Sequence, residues 1–206
     1  MSKHALSIGI ITHMGWVCAG IVRLESGGDL RIIHTARVDT CYPADRESLE
    51  PYHVAGGFDG LTRVQAPDDP AGVIENGRQK QCAATLANFG KLKQAVKQHG
   101  ELTHAGLLTG RGRLAPTLDK VLASHAQIHI AEGDSVRTAV ASALEALGVE
   151  LRRIDKKDLF TVAQEELGLD RLAILSELGG KAPVNEGPWR QEEKFAALTG
   201  WLAARA

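Results

Sequence analysis

Three runs of mostly apolar residues, rich in β-branched side chains, follow one another near the start of the chain. They span residues 5–11, 16–24 and 30–38. Gly27 and Gly28 lie between the second and third runs, and paired glycines at such a position are typical of a hairpin turn because they adopt positive φ without steric cost. The chain is therefore predicted to open with a three-stranded antiparallel meander.

Helical and strand patterns alternate through the rest of the chain. Val136 and Ala139 begin the clearest helical series, which ends before Gly148. The predicted helices cover residues 74–99, 115–124, 136–147, 157–167, 170–178 and 190–204, and the predicted strands cover 104–109, 127–131 and 149–154. This order indicates an α/β fold with a mixed sheet, in which parallel strands follow the meander and helices cover both faces. We expect a single domain over residues 1–206 with a helical C-terminal segment, 157–206.

Residues 39–72 interrupt this pattern. They contain four of the seven prolines and little apolar periodicity, and a long loop within a domain is usually functional or mobile. We interpret the segment as a proline-fixed cover over the sheet. The alternatives are a lid over a ligand and a surface that binds a protein partner.

The overall charge excludes a protein that attracts nucleic acid through a global basic field. Lys and Arg number 24 and Asp and Glu number 25, which gives a net charge of −1, so nucleic-acid binding would need a local patch. The three cysteines, Cys18, Cys41 and Cys82, form no CxxC pair and are expected to be reduced thiols in a cytoplasmic protein. No signal peptide, membrane span or membrane partner is predicted.

The order of elements resembles the ribonuclease-H-like superfamily, and its Holliday-junction-resolvase branch in particular. The meander, the long helix and the alternating strands and helices carry this resemblance. It extends to the last third of the chain, where strand 149–154 leads to a charged helical stretch, a Gly/Lys-containing break and a helix that begins with Gln191-Glu192-Glu193-Lys194. The resemblance implies a protein that associates with nucleic acid.

The resemblance also implies positions for catalytic carboxylates. In active members of the superfamily, carboxylates hold two divalent cations that clamp the attacking and leaving oxygens of a phosphodiester. The first lies in the first strand, where residues 8–13 contain no acid, and the second ends the fourth strand, where this chain has Leu108-Thr109-Gly110. The third lies on the last helix, where Glu192 and Glu193 are available. The chain is thus identified as a diverged member, and two-metal nuclease activity is not expected.

A polar cluster, Thr109-Gly110-Arg111-Gly112-Arg113, lies between a predicted strand and a predicted helix. Open α/β sheets bind ligands at the carboxyl ends of their strands, where glycines let backbone N–H groups approach an anion. Arg111 and Arg113 could add bidentate contacts to a phosphate or carboxylate. The segment lacks the GK[ST] ending of a P-loop. It predicts a site for a small anion or a phosphate, and the alternative is a turn with two solvated arginines.

Glu132 is the leading candidate for an acid–base group. It follows the predicted strand 127–131, and Arg137 lies beyond it in the predicted helix. If strands 104–109 and 127–131 are parallel neighbours, Glu132 lies at the same edge of the sheet as the loop 109–113. It would then serve as a general base, a metal ligand or an ion-pair partner of Arg111. Helix capping accounts for Asp134 or Ser135 but does not require Glu132.

The histidines predict no metal site. His13 follows Thr12 at the end of the first strand, where a histidine could act as an acid–base group or ligate a metal, and the alternative is a turn residue or a core residue whose hydrogen bonds are satisfied. His125 and His129 are four residues apart, but they fall across the predicted boundary between helix 115–124 and strand 127–131. Helical spacing therefore does not apply to them. The sequence contains no motif that identifies a cofactor.

Three functions remain open from the sequence. The first is a nucleic-acid-associated protein with lost or altered nuclease chemistry. The second is an enzyme or binding protein for a small anionic ligand at the same strand ends. The third is a protein-interaction module without chemistry. The residues proposed for the site are Thr12, His13, Thr109, Gly110, Arg111, Gly112, Arg113, Glu132, Arg137 and Glu193. The oligomeric state is not indicated.

Overall fold

Antiparallel and parallel strands meet in one sheet at the centre of the protein. The computed structural model describes residues 4–110 and 112–205. The strands of this sheet are β1 (Ala5–His13), β2 (Trp16–Leu24), β3 (Leu30–Asp39), β6 (Glu101–Thr109) and β7 (Glu150–Asp155). Within the described residues the sheet is five-stranded with the order β3-β2-β1-β6-β7. The meander of β1, β2 and β3 is antiparallel, and β6 and β7 extend it with parallel pairing.

Helices cover both faces of the sheet. They are α1 (Arg46–Leu49), α2 (Pro51–Ala55), α3 (Pro70–Val96), α4 (Leu118–Leu122), α5 (His125–Ala146), α6 (Leu159–Leu167), α7 (Arg171–Gly179) and α8 (Gln191–Ala203). A small hairpin is formed by β4 (Phe58–Asp59) and β5 (Thr62–Arg63). The predicted α/β class, with a mixed sheet and helices on both faces, is confirmed. No helix in the described ranges is both long enough and apolar enough to cross a bilayer.

The two faces of the sheet build two apolar cores. On β1, Ile8 and Ile10 are fully buried in a cluster that includes Phe89 of α3 and Val136 of α5. Ile11 packs against the other cluster, which is formed largely by α6, α7 and α8. Successive side chains of a strand point to opposite faces, so the same strand supports both helical layers.

A row of glycines lets α8 lie directly on the sheet. Gly9 of β1 pairs with Gly20 of β2 on one side and with Gly106 of β6 on the other. A Cβ atom on Gly9 would lie 1.7 Å from the carbonyl oxygen of Ala196, and one on Gly106 would lie 2.4 Å from that of Thr199. A side chain at these positions would therefore overlap the helix backbone, so the close approach of α8 requires glycine.

The predicted strand 127–131 is wrong, because these residues lie inside α5. The helix begins at His125, where the Ser124 hydroxyl accepts a hydrogen bond from the Gln127 backbone nitrogen. Ile128 is fully buried, and a short apolar run of this kind has the same pattern in a buried strand and in a buried helix. Asp134 and Ser135, predicted as helix caps, consequently lie in the middle of α5. The chain passes from β6 through α4 and α5 directly to β7.

Residues 39–72 contain α1, α2, the β4–β5 hairpin and the start of α3, where a long loop was predicted. Asp45 caps α1 by accepting hydrogen bonds from the backbone nitrogens of the first turn. Pro51 and Pro70 begin α2 and α3, a position that proline favours because the missing N–H has no partner there. α1 and α2 pack on α3. Two of the four prolines that indicated a loop are therefore helix-initiating residues.

Candidate functional site

One edge of the sheet gathers the carboxyl ends of β1, β6 and β7, because these strands are parallel neighbours. His13, Thr109 and Asp155 are the last residues of the three strands. Trp16 of β2 pairs with His13, and Asp39 of β3 pairs with Trp16, so β2 and β3 bring further side chains to the same edge. We call this the strand-end edge.

A cleft of about 270 Å³ opens at this edge beside β6, β7 and α5. Its lining residues are Thr109, Gly110, Gly112, Asp134, Arg137, Thr138 and Arg153. Four of them, Thr109, Gly110, Gly112 and Arg137, were predicted from the sequence as ligand-binding residues. We call it the strand-end cleft. The structure therefore brings together in one concave site groups that are separated along the chain.

Two guanidinium groups and one carboxylate line the strand-end cleft. Arg137 forms an ion pair of 3.7 Å with Asp134, and Arg153 is exposed on β7. A Cβ atom on Gly110 would meet no heavy atom within 4 Å, so the backbone there faces open space. Positive charge next to exposed backbone is an arrangement that suits an anionic group.

The other two arginines predicted for this site, Arg111 and Arg113, are not among the described residues that line the cleft. Arg111 lies outside the described residues. Arg113 is exposed immediately after the cleft-lining segment, and its carbonyl oxygen accepts a hydrogen bond of 3.3 Å from Nε2 of Gln127. The backbone at Arg113 is thus tied to the first turn of α5.

His13 occupies the end of β1 and is held by two contacts. Its Nε2 atom is paired with Oε1 of Glu192 in the first turn of α8. Its ring stacks on Trp16 with centroids 3.9 Å apart and planes inclined by 6°. The guanidinium of Arg37 lies 4.4 Å from the Trp16 ring centroid. Thr12 is half-buried and pairs with β2. At the end of β1 the structure therefore has a stacked imidazole paired with a carboxylate.

The acidic residues of α8 have partners within the protein. Glu192 binds His13, and Oε2 of Glu193 accepts a hydrogen bond of 2.9 Å from the Arg190 backbone nitrogen, which caps the helix. Burial raises the pKa of the Cys18 thiol to about 12, and the negative charges of Glu193 and Glu192 add to the effect. Cys18 is therefore a protonated structural thiol next to this site.

Glu132 does not lie at the strand-end edge. It is 2% exposed in the middle of α5. Its Oε1 atom accepts hydrogen bonds from the backbone nitrogens of Tyr52 at 2.8 Å and His53 at 3.0 Å, and it lies 3.2 Å from Nδ1 of His53. Burial raises the pKa of Glu132, and the hydrogen bonds from His53 and Tyr52 oppose the shift. The prediction placed Glu132 at the edge because it assumed a strand before this residue, whereas the helix turns its side chain toward α2.

Sequence reasoning missed two groups at the strand-end edge. Arg153 was included in a predicted strand, but its place in the cleft depends on the pairing of Leu107 in β6 with Arg153 in β7. The stack of His13 and Trp16 depends on the tight β1–β2 turn, where Gly15 has a φ of 76°. The positions of both follow from strand register, which a single sequence does not specify.

Comparison with known proteins identifies the fold. No family model matches the chain, and no curated protein matches it. A Thermus thermophilus RuvC structure matches with 12% identity over 96% of this chain and 92% of that chain, with a TM-score of 0.52. T. thermophilus RuvC in complex with a Holliday junction substrate matches with 14% identity over 98% and 94%, with a TM-score of 0.53.

A third match has a lower TM-score. It is the yeast mitochondrial Holliday junction resolvase Ydc2, with 11% identity over 98% of this chain and 77% of that chain, and a TM-score of 0.44. The two RuvC matches confirm the resemblance that the order of elements predicted. The protein has the ribonuclease-H-like fold of the RuvC type.

Proposed function

We propose that this protein, whose fold is that of RuvC, binds branched DNA through its phosphate backbone at the strand-end edge and does not use two-metal nuclease chemistry. The observation that carries the proposal is the strand-end cleft, whose lining includes Arg137, Arg153 and the open backbone of Gly110. The RuvC structure with a Holliday junction substrate supports a branched DNA as the ligand.

The chemistry of the cleft suits a phosphate diester. A guanidinium donates two parallel N–H groups to phosphate oxygens, and this geometry is more specific than that of a lysine. Thr109 and Thr138 line the same cleft, but their hydroxyls donate to the carbonyl oxygens of Ile154 and Asp134, so the guanidinium groups of Arg137 and Arg153 supply the donors for a phosphate. These groups position a backbone and do not read bases, so the binding is expected to depend on DNA shape and only weakly on sequence.

Cationic groups extend along the edge beyond the cleft. Arg37 belongs to β3, the outermost strand on one side, and Arg153 belongs to β7, the outermost strand on the other. Four strand spacings separate them, which is on the order of 19 Å. An edge of this length contacts more than one phosphate group at a time, which favours a polynucleotide over a single small anion.

Among the described residues, the carboxylates at this edge, including Asp39 and Asp155, do not form the cluster that two-metal catalysis requires. β1 contains no acid, and the two acids of α8 bind His13 and cap the helix. In the described part of the chain no three carboxylates bring their oxygens close enough together to hold an ion. Two divalent cations need clustered anions, so the proposal is binding without this form of cleavage.

Fluorescence anisotropy with a labelled four-way junction tests the proposal. Affinity is expected to fall with salt, and contacts from Arg37, Arg137 and Arg153 to three phosphates predict a slope of roughly −2.7 in log K against log salt. Arg137→Ala together with Arg153→Ala should weaken binding and reduce the slope by about 2. Arg31→Ala, an exposed arginine at the opposite end of β3, is the matched control and should leave both quantities unchanged.

Two results contradict the proposal. One is that the protein does not bind the junction, or binds it with an affinity that does not depend on salt. The other is that Arg31→Ala loses as much affinity as the cleft variant. A different result would identify a site for a small anion. In that case inorganic phosphate or nucleotides raise the melting temperature, the cleft variants lose this effect, and the protein does not bind DNA.

A further inference from the structure

Three imidazole groups converge between α2 and α5, away from the strand-end edge. His53 lies on α2, and His125 and His129 lie one turn apart on α5. One ring nitrogen from each lies within 4.8 Å of the other two. We propose that these three histidines bind one divalent transition-metal ion, with zinc as the best fit. This inference does not depend on the proposed DNA binding.

Helical geometry explains why His125 and His129 act together. Residues four apart on a helix project from the same face, and their ring centroids are 4.5 Å apart. His53 approaches both rings, with centroids 5.3 Å from His125 and 4.8 Å from His129. A tetrahedral site with zinc–nitrogen bonds of 2.0–2.1 Å needs nitrogens about 3.3 Å apart. The nitrogens lie within 4.8 Å of one another, so binding of an ion must draw them together by up to about 1.5 Å.

Burial of the three side chains is graded from the interior to the surface. His53 is buried, His125 is half-buried and His129 is exposed. The exposed side gives an ion access from solvent and leaves room for a water molecule as a fourth ligand. Three histidines and a water form a common set for zinc. Imidazole nitrogen favours transition metals over magnesium and calcium, which prefer oxygen ligands.

Glu132 orients the innermost ligand. Its Oε1 atom lies 3.2 Å from Nδ1 of His53. The tautomer with its proton on Nδ1 donates to this carboxylate and keeps the lone pair of Nε2 for the ion. A carboxylate behind a ligating histidine is a recurrent arrangement at metal sites because it fixes the tautomer and the ring orientation. Glu132 is a positioning residue in this site and not a ligand.

The second carboxylate oxygen of Glu132 supports the same conclusion. This Oε2 atom is buried and has no hydrogen-bond partner among the residues that the structure describes. A buried polar atom without a partner costs free energy and calls for an explanation such as an ion nearby. A cation held by His53 on the far side of the imidazole would stabilise the carboxylate through the ring.

Titration of the chelator-treated full-length chain with Co²⁺ tests the site. We expect one Co²⁺ per chain, an intense visible absorption typical of tetrahedral coordination, and displacement by Zn²⁺. His125→Gln and His129→Gln should each weaken Zn²⁺ binding by at least about 10-fold. His99→Gln, a histidine outside the cluster, is the matched control and should bind as the unaltered protein does.

Glu132→Gln separates positioning from a merely structural role. The amide oxygen can still accept hydrogen bonds from the α2 backbone, so circular dichroism should be unchanged. Metal affinity should fall by roughly 10- to 100-fold with the cobalt spectrum retained. The inference is overturned if Co²⁺ does not bind at one per chain, or if the variant with both His125→Gln and His129→Gln binds it undiminished. Because His129 is exposed, the single His129→Gln variant keeps the test valid even if the others fail to fold.

Discussion

Glu132 and His53 are joined twice, since one carboxylate oxygen lies 3.0 Å from the backbone nitrogen of His53 and 3.2 Å from its Nδ1 atom. The same oxygen accepts a third hydrogen bond, from the Tyr52 backbone nitrogen at 2.8 Å. A single side chain of α5 therefore accepts hydrogen bonds from backbone N–H groups in the first turn of α2, which have no partner within that helix. This arrangement accounts for a charged residue deep inside the protein, because the carboxylate provides an acceptor that the backbone of α2 does not find elsewhere.

Truncation of Glu132 is expected to destabilise the fold. Glu132→Ala leaves the three donors without their acceptor in a buried place, and the free energy of unfolding should fall by roughly 2–4 kcal/mol. Urea denaturation followed by circular dichroism measures this change. Glu145→Ala, an exposed glutamate on the same helix, should change the free energy by no more than about 0.5 kcal/mol. Equal effects of the two substitutions would show that the hydrogen bonds of Glu132 contribute nothing.

Two glycine-to-alanine substitutions should change the free energy of unfolding in opposite directions. In Gly9→Ala the new Cβ would lie 1.7 Å from a backbone oxygen of α8, so the free energy of unfolding should fall by about 3 kcal/mol or more. In Gly90→Ala the new Cβ would meet nothing within 4 Å in the interior of α3, and stability should rise by up to about 1 kcal/mol. Thermal and urea unfolding of both variants tests the pair. A Gly9→Ala protein as stable as the unaltered chain would mean that α8 does not lie so close to β1.

The ion pair of Arg152 and Glu166 predicts a pH dependence of stability. Nη1 of Arg152 donates a hydrogen bond of 2.8 Å to Oε2 of Glu166, and Nη2 contacts the other carboxylate oxygen. The hydrogen bond from Arg152 lowers the pKa of Glu166. Because the pKa in the folded state is below the ordinary value of about 4.3, the stabilisation is complete above that value and is lost as pH falls through the lowered pKa.

Melting temperature measured between neutral and acidic pH tests this prediction. Glu166→Gln should make the fall in melting temperature below the ordinary glutamate pKa shallower than in the unaltered protein. Glu165→Gln is the control, since Glu165 is the exposed neighbour on α6. Identical pH profiles for Glu166→Gln and the unaltered chain would show that the ion pair does not contribute to stability.

The architecture could be predicted because its signals are local. The apolar runs at 5–11, 16–24 and 30–38 became β1, β2 and β3, and the turn glycines between them mark the hairpins. The strand at 127–131 was predicted wrongly because Ile128 and Ile130 satisfy strand and helix patterns equally over so few residues. The Ser124 cap, which distinguishes the two, is recognisable only once the start of the helix is known.

The two candidate sites differ in how far the sequence could predict them. Gly110 and Arg137 were assigned to a ligand site, and both line the strand-end cleft. The histidine cluster was not predicted, because His125 and His129 face the same way only if residues 125–129 are helical. His53 joins them through the packing of α2 on α5, and contacts so distant in sequence have no local pattern. Glu132 also packs against α2 and therefore does not lie at the strand-end edge, where it was expected.

The glycine row beneath α8 also has a consequence for synthesis. Gly9 and Gly20 are among the first described residues to leave the ribosome, whereas Gly200, whose added Cβ would lie 2.8 Å from the Gly9 backbone nitrogen, is among the last. Until then, the face of the nascent sheet that carries this glycine row and apolar side chains such as Val22 and Ile32 is not covered by α8. The early strands must therefore remain protected from other chains throughout translation, and a ribosome stalled before α8 would expose a surface suited to aggregation or to chaperone binding.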